Sequence, residues 1–208
     1  MTVAEIALDF LGRGGKRLRP RLCKAVFERC GGVGDIAPVC DAVECFHKAS
    51  LVHDDIQDGD EERYGRPTVW KEHGVPMAIA VGDWLVAHGY RLIMRSGLPA
   101  APAMLAATVD SHIRLCEGQG DDLAGDGDYV SVCERKTGEA FALAAQLGAL
   151  AAGAADAKFR RYGLVYGVLF QINDDIADGA DPECLRELKE KYEREAAVSR
   201  DECSIGVW

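Results

Sequence analysis

Six of the chain's aspartates fall into two copies of one pattern, Asp54-Asp55-x-x-Asp58 in "HDDIQD" and Asp174-Asp175-x-x-Asp178 in "NDDIAD". On a helix the first and last carboxylates of such a motif sit one turn apart on one face. The middle one is rotated by about 100° but stays within reach. The group repels itself at the end of an apolar helix unless a cation neutralises it. Carboxylate oxygens are hard ligands that favour Mg²⁺ over zinc, and Mg²⁺ usually completes its octahedron with water and phosphate oxygens. Two such clusters on facing helices would clamp a diphosphate through bridging Mg²⁺. One copy in an acid-rich chain reads as a solvated helix end, and "GQGDDLAGDGD" at 118–128 reads as a loop that simply accumulates acids. Two copies, each closing an apolar helix, read as a site.

Cations are gathered elsewhere. "GRGGKRLRPRL" places Arg13, Lys16, Arg17, Arg19 and Arg21 around two glycines, just before a Pro-initiated helix. Glycines allow close backbone approach, and a helix N-terminus with Lys and Arg suits a phosphate. No G-x-x-x-x-G-K-[ST] is present, so this is not a P-loop. His47 alone reads as a core histidine and Lys136 in "ERKTGEAF" alone as a surface lysine; both gain weight from the acidic pair.

The elements that must position these groups are helices. Ala, Leu, Glu, Arg and Lys dominate long segments, strand-like alternation is weak, and Gly and Pro divide the chain into stretches near 2–12, 20–30, 36–58, 75–96, 100–118, 128–153, 156–178 and 182–200. In the third, Asp35 is the expected N-cap, and Ile36, Val39, Val43, Phe46, Ala49, Val52 and Ile56 recur at steps of three and four, a core stripe. A different face carries His47, Ser50, Asp54 and Asp58, so His47 lies about two turns, roughly 10 Å, from Asp54. The segment "RYGLVYGVLFQINDDIAD" is apolar nearly all round until Gln171, as befits the inside of a bundle. We expect one all-α domain over 1–208.

Composition excludes several functions. A net charge of −10 argues against nucleic-acid binding, which needs a basic face. No apolar run approaches the roughly 20 residues of a membrane span. The start "MTVAEIALDFLGRGGKRLRP" lacks the order of a secretory leader, and eight cysteines without a C-x-x-C pair read as reduced thiols, so a cytoplasmic location is expected.

The motifs together resemble those of the trans-isoprenyl diphosphate synthases, or polyprenyl synthetases. "GGKRLRP" (14–20), "HKASLVHDDIQD" (47–58) with "RYGRPT", "GD" (82–83), "EGQGDDL" (117–123), "RKT" (135–137) and "FQINDDIAD" (170–178) follow the family order. The resemblance implies an all-α isoprenoid synthase fold around a central cavity, shortened here at both ends, and a homodimer. It implies three Mg²⁺ ions held by Asp54, Asp55, Asp58, Asp174 and Asp178, with Asp175 beside them. It further implies that Arg63, Lys136 and Thr137 with Gln171 hold an allylic diphosphate, and that Lys16, Arg19 and His47 bind isopentenyl diphosphate. The reaction would be head-to-tail condensation. Ala49 and Ser50, small residues one turn before Asp54, would leave room for a product of twenty carbons or more.

The chain departs from the family pattern at two places. Tyr64 stands where the family usually has a second arginine, and a neutral phenol implies weaker homoallylic diphosphate binding. After "DDIAD" no lysine-containing lid segment follows. Two rival readings share the fold. A class I terpene cyclase usually carries N-D-x-x-S-x-x-x-E, whereas Ala177 occupies the Ser position here. A non-catalytic subunit of a two-component synthase tends to lose the aspartates that this chain keeps.

Overall fold

The computed structural model describes residues 1–125 and 127–204. Asp126, inside the expected 118–128 loop, and 205–208, the end of the expected domain, lie outside the described residues. The fold is all-α. Its helices are α1 (Val3–Gly12), α2 (Leu18–Arg29), α3 (Ala37–Asp58), α4 (Val69–His73), α5 (Val75–Met94), α6 (Ala101–Ala124), α7 (Tyr129–Cys133), α8 (Glu139–Ala151), α9 (Ala157–Ala177) and α10 (Pro182–Cys203). A single π-helical turn, Glu134–Gly138, joins α7 to α8, and a two-residue hairpin, β1 (Glu62–Arg63) with β2 (Arg66–Pro67), follows α3.

The stripe on α3 behaves as its spacing predicts. Val39, Val43 and Phe46 join Phe27 of α2, Ile93 of α5, Met104 of α6 and Leu147 of α8 in one core. Ala49 and Val52 join Ile6, Ala7 and Phe10 of α1 with Ala78, Val81 and Leu85 of α5 in a second. Full burial of each large side chain contributes about 1.5–3 kcal/mol. The N-cap is Ile36, one residue later than expected, and Asp35 just before it accepts the Ala37 N–H at 2.9 Å. Gly59 ends it in the left-handed region at φ 72°, so the last turn of α3 is Asp54–Asp58.

α9 packs between α8 and α10. Its core side chains are Phe159 and Tyr162 toward α2 and α8, and Val165, Val168 and Ile172 toward Cys133 and Tyr192. The expected 128–153 helix is interrupted by the π turn. The expected 118–128 loop is helical as far as Ala124. Gly118 explains the latter: a Cβ there would come within 2.5 Å of Arg135 Cβ, so only glycine lets α6 run closely past the π turn. All eight cysteines are free thiols, and among the described residues no helix is long and apolar enough to cross a membrane.

Candidate active site

Both acidic motifs close their helices at the C-terminal end, where the helix dipole already disfavours negative charge by about 0.3–1 kcal/mol per group. The outer carboxylates of each motif, Asp54 and Asp58, Asp174 and Asp178, have no hydrogen-bond donor among the described residues. The middle ones are occupied. Asp55 is 1% exposed and its Oδ1 accepts from Arg63 Nε at 2.5 Å, while its buried Oδ2 has no partner. Asp175 accepts from Gln171 Nε2 at 2.7 Å through Oδ1 and from the Tyr129 hydroxyl at 2.5 Å through Oδ2.

The π turn lies near both motifs through Lys136 and Thr137. Lys136 Nζ donates to Asp122 Oδ2 at 2.5 Å and lies near enough to Asp54 to favour its ionised form. The next residue, Thr137, donates to Gln171 Oε1 at 2.6 Å and so begins the chain Thr137, Gln171, Asp175. Two successive residues thus reach to different helices, Lys136 to Asp122 of α6 and Thr137 to Gln171 of α9. Single π turns inside helices recur at functional sites, because the extra residue redirects neighbouring side chains.

Burial pushes the Asp54 carboxyl up, Lys136 opposing and Asp58 adding to the rise. Asp55 is likewise raised by burial, against its hydrogen bond from Arg63. Tyr129 is raised by burial and by donating to Asp175, so it stays a protonated donor. A cleft of about 500 Å³ opens beside the second motif, between Tyr129, Asp175, Asp178 and the start of α10.

The basic loop is divided in role. Arg13 is buried, donating to Asp9 Oδ2 at 2.9 Å and to the Pro67 carbonyl at 3.0 Å, and Arg17 pairs with Asp41 at 2.9 Å. Lys16 is exposed and makes no ion pair among the described residues. Arg19 lies 4.3 Å over the Phe141 ring and 3.3 Å from His47 Nε2. Burial lowers Arg19 to about 10, still a cation at neutral pH. Burial and the adjacent Arg19 hold His47 well below its usual range, so its neutral ring accepts from the guanidinium.

Two of the expected site residues, Ala49 and Asp55, are buried. Ala49, expected to wall the cavity, is 1% exposed inside the α1–α3–α5 core. Ser50 alone of that pair is exposed, its hydroxyl donating to the His47 carbonyl at 2.8 Å. Asp55, expected among the metal ligands, is buried, with Oδ1 accepting from Arg63 and Oδ2 unpartnered. Sequence reasoning also missed four residues. Tyr129 lies across the fold from its partner, and Asp121 and Asp122, expected as loop acids, pair with Arg135 and Lys136. Glu139, 3% exposed, accepts from Ser111, Arg114 and Arg160 and so ties α6, α8 and α9 together beneath the π turn.

The polyprenyl synthetase family model matches residues 2–185. The chain belongs to the polyprenyl synthetase family. It is 37% identical over 189 residues to a short chain isoprenyl diphosphate synthase of Methanothermobacter thermautotrophicus, covering 85% of this chain and 58% of that protein. It is 39% identical over 179 residues to a geranylgeranyl diphosphate synthase of Mycobacterium tuberculosis, covering 79% and 51%. The crystal structure of a geranyltranstransferase from Thermotoga maritima superposes with a TM-score of 0.85 at 26% identity, over 97% of this chain and 84% of that one. A Caulobacter crescentus polyprenyl synthase complexed with calcium and isoprenyl diphosphate superposes with a TM-score of 0.75 at 29% identity, over 87% and 62%. This polyprenyl synthetase chain spans between half and three fifths of the length of the two curated relatives.

The four open carboxylates fit Mg²⁺. They are hard oxygen donors without hydrogen-bond donors among the described residues, set at helix ends whose dipoles make a cation welcome. Among the described residues no three His, Cys, Asp or Glu side chains converge into a finished cage. Mg²⁺ here would therefore need water or substrate phosphate to complete its shell.

Proposed function

We propose that this chain catalyses the head-to-tail condensation of isopentenyl diphosphate with an allylic prenyl diphosphate, with Mg²⁺ held by Asp54, Asp58, Asp174 and Asp178. The observation that carries this reading is the π turn, whose Lys136 bonds to Asp122 within electrostatic reach of Asp54 while the next residue, Thr137, bonds to Gln171, the residue that holds Asp175. Family membership adds to it.

In this reading Lys136 and Arg63 hold the allylic diphosphate, and Asp55 fixes the Arg63 guanidinium. Gln171 and Tyr129 hold Asp175, so that its neighbour Asp174 keeps its outward orientation. Bound Mg²⁺, three ions by the resemblance, supplies positive charge to the departing diphosphate. The allylic C–O bond breaks with its electron pair leaving on the diphosphate, and the isopentenyl double bond attacks the allylic carbon. A proton is then lost to the released diphosphate, which restores an allylic product longer by five carbons. Lys16 and Arg19 bind isopentenyl diphosphate, with neutral His47 steadying Arg19. Ser50, small and exposed on the Asp54 face, leaves room for a product of twenty carbons or more. A single domain over 1–208, a homodimer and a cytoplasmic location belong to the same proposal.

Incubation with Mg²⁺, isopentenyl diphosphate and allylic diphosphates of several lengths, followed by sizing of the products, tests it. Chain growth in five-carbon steps supports a synthase. A hydrocarbon formed from the allylic substrate alone would establish a cyclase, and absence of turnover a non-catalytic subunit.

A further inference from the structure

Lys48 follows His47 on α3, and it is 0% exposed. Its ammonium donates to the carbonyls of Arg13 at 2.5 Å and Gly14 at 2.9 Å. The Tyr64 ring lies over it at 4.1 Å and the Phe10 ring at 5.4 Å. Glu44, buried one turn earlier on α3, favours the charged ammonium against the effect of burial. A buried cation whose protons go to carbonyls and aromatic faces is a tether.

What it tethers is the basic loop. Gly14 and Gly15 take φ of 21° and 106°, and a Cβ on Gly14 would come within 2.8 Å of Tyr64 Cδ1, so the loop is moulded to this ring. Tyr64 itself is left-handed at φ 56°, uncommon for a residue with a side chain. With the carbonyls of Arg13 and Gly14 turned inward to Lys48, the next cation along, Lys16, is left in solvent, and Arg19 begins α2 toward His47.

We propose that Lys48 and Tyr64 are a positioning pair that holds loop 13–17 in the shape that receives isopentenyl diphosphate, position 64 supplying a ring over a buried cation in place of a cation of its own. The identity of that ligand rests on the synthase reading; the coupling of the two residues does not. Tyr64 is 41% exposed but covers a buried ammonium at 4.1 Å, so an arginine at position 64 would set a second positive charge beside a desolvated one, and the two would repel. Tyr64→Arg, which restores the charge expected of the family, therefore weakens the site while Lys48 is present and strengthens it once Lys48 is neutral.

The test is calorimetric binding of isopentenyl diphosphate and, separately, geranyl diphosphate, each with Mg²⁺, to the wild type, Lys48→Met, Tyr64→Leu, Tyr64→Phe, Tyr64→Arg and Lys48→Met/Tyr64→Arg. We expect Lys48→Met, Tyr64→Leu and Tyr64→Arg each to weaken isopentenyl diphosphate about tenfold with little change for geranyl diphosphate. The conservative Tyr64→Phe should rescue most of the loss seen with Leu, and the double variant should bind more tightly than Lys48→Met alone. Tighter binding by Tyr64→Arg in the wild-type background overturns the proposal. If Lys48→Met does not fold, the sign of the Tyr64→Arg effect alone decides. Melting temperatures give a readout free of substrate: Tyr64→Arg should lower the value only where Lys48 is present, and an equal drop in both backgrounds overturns the pairing. Wild-type protein that elongates no allylic diphosphate would overturn the synthase reading and leave these melting temperatures to judge the pair.

Discussion

The two acidic motifs have the same spacing and the same place at a helix end, yet the fold holds them by different means. In the first, at the end of α3, the middle aspartate is buried and paired with a charged residue, Arg63, and burial raises both Asp54 and Asp55. In the second, at the end of α9, the middle aspartate is half-buried and held by two neutral donors, Gln171 and Tyr129, while Asp174 and Asp178 are exposed. The shared outcome is a pair of open outer carboxylates on each side. The difference is that the first motif is set by charge and desolvation, and the second by a hydrogen-bond chain running back to the π turn.

The sharpest way to break the comparison is to remove the outer carboxylates. Asp54→Asn and Asp174→Asn should each lower the condensation rate by about 10²–10³-fold, the scale of losing one preorganised electrostatic contact. A large loss at one motif and none at the other, in steady-state assays, would mean that they do not share a task. The middle residues should matter less. Asp55→Asn and Asp175→Asn should cost about 10–100-fold in activity or Mg²⁺ affinity, since they orient groups that touch the ligand. Removal of the Tyr129 hydroxyl should reproduce part of the Asp175 effect and none of the Asp55 effect.

Substrate room separates the motifs further. Ser50→Phe should shorten the product, visible by mass. Ala49→Phe should cost about 1–3 kcal/mol of stability by overpacking the α1–α3–α5 core. An unchanged product distribution in Ser50→Phe would remove that residue from the cavity wall.

Stability should respond on the second motif's side through Glu139. Burial raises this carboxyl, and the hydrogen bonds from Arg160, Arg114 and Ser111 more than offset that, leaving it below its usual range. Its stabilisation is therefore full above the unfolded value near 4.5 and is lost as pH falls through the lowered folded value. Glu139→Gln should cost about 2 kcal/mol at neutral pH, less than a fully buried pair because Arg114 is 38% exposed. Denaturant titration across pH would show that gap closing in acid. Asp54 has the opposite sign and a smaller effect. Its raised folded value means that ionisation opposes folding above that value, and the penalty fades as pH falls toward 3.8. Metal-free Asp54→Asn should thus melt slightly higher than wild type at neutral pH and match it in acid. Exposed Asp174→Asn should stay within about 0.5 kcal/mol.

Much of this was legible in residue spacing. The stripe from Ile36 to Val52 located the core face of α3, and the Asp54–Asp58 step located the open face. The π turn was not legible, because one extra residue within "CERKTGEAF" leaves the apolar period almost intact. The helical run through Gly118 was missed because glycine was read as a break, when its purpose is close contact with Arg135. Lys48 and Glu139 were missed because a charged side chain reads as solvent-facing until its distant partners are known. Ala49 and Ser50 are adjacent in sequence, and only the packing of α1 and α5 on α3 assigns one to the core and the other to the open side.

The claim that the two motifs act on one diphosphate is tested most directly by single-turnover condensation of isopentenyl diphosphate with an allylic diphosphate in wild type, Asp54→Asn, Asp174→Asn and the double variant. The account predicts growth by five carbons in the wild type, and a double variant about as slow as the slower single one, since groups that act as a unit are not additive. Losses that multiply in the double variant would contradict it, as would a wild type that releases no elongated product.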